Sequence, residues 1–123
     1  MNWEARNMAI KSLCPEAVLP DPAADRKESA RVEQYRVSGA AIYFKSFPGE
    51  KYLPFYAVER AWAQKSKVSL TGCCGSELPV VILRVKYSGG FYRNFTFERK
   101  ESAERVLAAL REARPEVPQE PED

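Results

Sequence analysis

Cys73 and Cys74 stand side by side between Gly72 and Gly75, in a chain with one further cysteine, Cys14, and no histidine. Neighbouring thiols suit redox chemistry, because a disulfide between them closes a very small ring, distorts the intervening peptide and is therefore easily reduced. A structural zinc site normally takes four Cys or His ligands, so three cysteines without a C-x-x-C spacing predict no metal. The favoured reading is packing: one cysteine turns inward as a small hydrophobe, the other faces out, and the two glycines shape the connection. A thiol redox sensor is the alternative.

Other chemistry has less to work with. The commonest general base is absent, and there is no G-x-S-x-G elbow, no phosphate-binding loop and no G-x-G-x-x-G after a strand. The paired carboxylates, Glu98 with Glu101 and Glu112 with Glu116, adjoin arginines and read as solvated or helix-end charges. The expectation is a noncatalytic protein without a cofactor.

A second set of residues suits binding. Lys45, Arg84, Lys86 and Arg93 fall on predicted strands whose convergence would receive an anionic group. Tyr43, Tyr52, Tyr56 and Tyr92 join large contact area to a polar tip, which suits a protein contact. These eight residues form the candidate binding surface. The competing reading is that the amino-terminal segment covers the aromatic face within the same chain.

Composition bounds the rest. A chain of 123 residues, 45% hydrophobic, fits one folded domain with one core. Its 19 basic residues against 17 acidic ones make nucleic acid an unexpected partner. Glu4, Arg6 and Lys11 interrupt any apolar run near the amino terminus, so neither a signal peptide nor a membrane span is expected there. With an odd number of cysteines, this predicts a cytoplasmic protein with reduced thiols.

Periodicity then places the elements. Trp3, Ile10 and Cys14 share a helical stripe, predicting an amphipathic helix over residues 3–14 with Asn2 as cap. Pro15, Pro20 and Pro22 predict an extended connector, in which Asp21 and Pro22 form a short helix start. From residue 32 the pattern turns to strands: Tyr35 and Val37, a turn at Ser38–Gly39, then Ile42 and Phe44. Pro48–Gly49 predicts a type II turn, and Pro54 predicts that the strand holding Leu53 and Phe55 is short or at an edge.

Residues 57–68 carry helix-favouring side chains, yet Val58, Arg60 and Trp62 fit one strand face, and the strand reading is preferred. Residues 79–87 form the strongest strand, and a turn at 88–90 leads to another with Phe91, Phe95 and Phe97 on one side. Ala103, Val106, Leu107 and Leu110 then define a helix over 102–114, capped by Ser102 and stopped by Pro115.

The expected fold class is α+β, mainly β: a partly open antiparallel β-barrel plugged by the carboxy-terminal amphipathic helix, with an amino-terminal helical extension. From "YRVSGAAIYF" through "YLPFYAVERAW" and "PVVILRVKYSGGFYRNFTFE" to the last helix, the chain resembles a bacterial pleckstrin-homology-like domain of the GRAM-like type. The resemblance covers residues 32–114, leaving 1–31 as helix and connector and 115–123 as a flexible acidic tail.

That resemblance implies an interaction scaffold for lipid head groups, phosphopeptides or partner proteins, and fold alone does not choose among them. Lipid-binding members cluster basic residues in the first hairpin, where this chain offers Arg36 and Lys45, with Lys51 beyond. The reading is a module that binds another protein, including a second copy of itself. Binding at a membrane surface or to an anionic ligand is the alternative.

Overall fold

The computed structural model describes residues 10–69 and 76–122. In chain order these form β1 (Ile10–Ser12), α1 (Pro22–Lys27), β2 (Ala30–Val32), β3 (Tyr35–Val37), β4 (Ala41–Ser46) and β5 (Gly49–Pro54). A 3-10 turn over Phe55–Ala57 leads into β6 (Val58–Ser69), β7 (Glu77–Tyr87), β8 (Phe91–Phe97) and α2 (Lys100–Ala113). The fold is mainly β, with a carboxy-terminal helix.

The described strands make two sheets and no closed barrel. One has the order β1-β5-β4-β3-β2, antiparallel except for the parallel pairing of β1 with β5. The other is the antiparallel run β6-β7-β8. Strand character wins over helix propensity in β6 because β7 pairs with it along nearly its whole length, from Val58 to Ser69.

Four local expectations are corrected. Residues 10–12, placed on an amphipathic helix, are a strand added to the edge of β5, and residues 3–9 lie outside the described region. A turn at Glu33–Gln34 divides the first expected strand into β2 and β3, with Glu33 in the left-handed region at φ 56°. The β4–β5 turn is closed by Ser46 and Gly49, which puts Phe47 and Pro48 at its centre in place of the Pro48–Gly49 pair expected for a type II turn. Pro54 closes a strand that is interior to its sheet. The β1 register stops at Tyr52, so the absent N–H of Pro54 disrupts no pairing there.

The core lies between the sheets and under α2. Ile42 and Leu53 from the first sheet meet Leu83, Phe95 and Phe97 from the second, and Ala103, Val106 and Leu110 of α2 complete the cluster. Phe97 and Leu53 are fully buried, and each such side chain contributes about 2 kcal/mol through the hydrophobic effect. Cys14, Ala17 and Val117 belong to the same cluster although they lie outside residues 32–114.

Ser102 does not cap α2. Arg99 holds the cap position and its side chain makes no capping bond. Instead Glu33, reaching across from the β2–β3 turn, accepts the backbone N–H groups of Glu98 at 2.8 Å and Arg99 at 3.1 Å.

Candidate interaction face

Alternation along β7 and β8 sends every second side chain to the solvent side of the second sheet. Register then pairs Lys86 with Tyr92 and Arg84 with Asn94, and β6 brings Arg60 beside Lys86. The Arg84 guanidinium lies 4.2 Å from the centre of the Tyr92 ring, and the Lys86 ammonium 5.8 Å from it. A ring between two cations fixes long side chains that solvent would otherwise leave mobile. Three of the eight predicted surface residues, Arg84, Lys86 and Tyr92, are therefore brought together here.

The acidic segment after α2 runs onto this cluster. The Ala61 N–H donates to the Pro118 carbonyl at 3.1 Å, and the Arg60 guanidinium donates to the Glu120 carbonyl at 2.7 Å. Glu122 then accepts from the Lys86 ammonium at 2.9 Å and from the Tyr92 hydroxyl. The hydrogen bond to Glu122 holds the Lys86 pKa and the Tyr92 pKa above their ordinary values. Donation from Tyr92 and then Lys86 holds the Glu122 carboxyl below its own. Sequence reasoning missed Arg60 and Glu122. The same period-two spacing that marks Arg84 and Lys86 links Arg60 to Trp62, whereas nothing local marks Glu122.

The other predicted residues are elsewhere. Tyr43 and Tyr52, expected on a binding surface, are only 1% and 2% exposed. With Ala41 they form a second cluster, against which Ile10 and Leu19 pack. The Tyr43 hydroxyl donates to Asp25 of α1 at 2.6 Å, and the Tyr52 hydroxyl accepts the Leu19 N–H at 3.0 Å. The amino-terminal connector thus covers the aromatic face, and burial followed by the Asp25 hydrogen bond drives the Tyr43 pKa well upward.

Tyr56 is half-exposed in the 3-10 turn and donates to the Val18 carbonyl at 2.9 Å. Arg93 faces the other way from Arg84, with its guanidinium 4.4 Å from the centre of the Phe44 ring and its Nε buried without an acceptor. Lys45 is exposed on β4 near the β4–β5 turn. At that turn Phe47 is 99% exposed. A cleft of about 570 Å³ beside it is lined by Lys11, Lys51 and the turn residues.

Cys73 and Cys74 lie outside the described residues. Cys14 is buried, its thiol donating to Glu16 at 3.1 Å. That hydrogen bond, then burial, then the Glu16 charge push its pKa upward. Among the described residues, no group of three or more His, Cys, Asp or Glu is placed to hold a metal ion. No described helix is long and apolar enough to cross a membrane.

The chain matches no protein-family model, no curated protein and no solved structure.

Proposed function

We propose that this protein is a noncatalytic interaction module of pleckstrin-homology-like architecture that binds another protein through the solvent face of β6–β8. Two antiparallel runs, β2–β5 and β6–β8, followed by a carboxy-terminal helix support that reading of the architecture. One observation carries the binding reading: Arg84, Lys86 and Tyr92 are clustered on the solvent face of a sheet, where rigid backbone and a tyrosine flanked by cations suit a protein contact. The test places a photoreactive amino acid at Asn94, inside the face, or at Lys100 on α2, in cells producing the chain. A discrete crosslinked product from position 94 alone, lost on Arg84→Glu, is expected. The same products from both positions, or none, would overturn the reading.

A specific observation favours a second reading, binding at an anionic membrane surface. Phe47 projects from the β4–β5 turn at a cleft lined by Lys11 and Lys51 together with Glu50, and Lys45 precedes it by two residues. An apolar tip with a basic collar supplies the two signals that peripheral anchoring takes. Flotation with phosphatidylserine-containing vesicles at low salt should enrich the parent and not Phe47→Ser. Equal recovery of the two would remove this reading.

A further inference from the structure

We infer that the face on β6–β8 is built for an acidic segment of a partner protein, and that residues 120–122 occupy it within the chain as a displaceable stand-in. This rests on the protein-binding reading and names the chemistry of the partner.

The contacts define what fits. Ala61 donates to the Pro118 carbonyl of the part that stays, and Arg60 donates to the main-chain carbonyl of Glu120, so Arg60 reads backbone rather than side chain. Lys86 and Tyr92 donate to a carboxylate, and Arg84 and Arg60 add positive charge around it. Pro118 and Pro121 carry no backbone N–H, which limits hydrogen bonding within the segment itself. A partner segment therefore needs a free main-chain carbonyl for Arg60 and a carboxylate two positions beyond it.

The occupant within the chain has its buried anchor at one end. Val117 is buried in the core, and Gln119 donates to the Leu107 carbonyl at 2.8 Å while accepting from Arg111. Beyond Gln119 the side-chain contacts are polar and water-accessible: Lys86 and Glu122 keep 27% and 36% of their side-chain surface exposed. Exposed ion pairs hold weakly and are screened by salt. The tip from Glu120 to Glu122 can thus leave while Val117 stays in place.

The experiment titrates ¹⁵N-labelled full chain, as the parent and as Glu122→Ala, with a synthetic peptide PEVPQEPED and with a control in which its acidic residues are amides. The acidic peptide should give saturable shifts at Arg60, Lys86 and Tyr92, about fivefold tighter for Glu122→Ala than for the parent, since removing an internal competitor raises the competent fraction. Adding Lys86→Glu should abolish them. Equal binding of the amide peptide, or no saturable shift in Glu122→Ala, would overturn the acidic-segment inference. Equal affinity for the parent and Glu122→Ala would overturn the stand-in. A position-94 crosslink that persists when the peptide does not bind would separate failure of this inference from failure of the protein-binding reading.

Discussion

The carboxylate of Glu33 accepts the backbone N–H of Arg99 at 3.1 Å, across 66 positions of sequence. With the Glu98 N–H it satisfies two donors where α2 begins, a place where a negative charge also complements the helix dipole. A residue of the β2–β3 turn thereby satisfies the donors immediately ahead of the helix.

Replacing Glu33 by alanine should lower unfolding free energy by about 1–2 kcal/mol, the range of a lost cap. Chemical denaturation measures it, and an unchanged midpoint would refute the role. The effect should depend on pH. Burial raises the Glu33 pKa, but donation from Glu98, Ser102 and Arg99 outweighs it, leaving the carboxyl below its ordinary value. A lowered carboxyl stabilises the fold above its unfolded pKa and loses that contribution as pH falls through the folded one. Glu33→Gln should therefore have a flatter acid limb than the parent.

Tyr43→Phe removes a buried hydroxyl that donates to Asp25. Losing one such bond to a charged group should cost about 1.5–3 kcal/mol. The raised phenol pKa gives the opposite pH sign: its contribution is present below the unfolded phenol pKa and fades as pH rises beyond it. Spectrophotometric titration should therefore show a tyrosine class that ionises only on alkaline unfolding, smaller by one tyrosine in Tyr43→Phe.

Arg26 on α1 donates through Nε and Nη2 to the two carboxylate oxygens of Glu50, at 2.7 and 2.9 Å. The arginine side chain is 37% exposed, so solvent screens the pair, and Arg26→Ala should cost only about 1 kcal/mol. A double-mutant cycle with Glu50→Gln checks it. Strictly additive losses would show that the pair contributes nothing.

Cys14 should alkylate slowly in the native protein. Its thiol is 3% exposed, and its pKa is raised by the hydrogen bond to Glu16 and then by burial. Iodoacetamide labelling followed by peptide mapping should show modification at Cys14 that rises steeply once denaturant unfolds the chain. Rapid labelling without denaturant would contradict the placement.

Much of the sheet architecture was legible because side-chain alternation is local. The inward residues of β7 and β8 follow from period two, and the apolar stripe of α2 from period 3.6. The β2–β3 turn escaped because "VEQY" contains none of the glycine, proline or asparagine that usually marks one. β1 escaped because three residues carry no reliable period, and its partner β5 lies about forty residues away. Arg84 and Lys86 share a face by spacing alone, but their meeting with Tyr92 depends on register and that with Glu122 on the path after α2. Tyr43 and Tyr52 show the limit of composition, since tyrosine suits an interface and an interior alike when its hydroxyl finds a partner.

Val117 bears on how far the cooperative unit extends. This buried side chain lies past the end of α2, and Cys14 and Ala17 lie before β2, yet all three share one cluster with the sheets. A boundary drawn at the last strand or helix would cut through that cluster on both sides. The smallest piece expected to unfold as one transition is delimited by its outermost buried atoms, and it includes both the connector before β2 and the turn after α2.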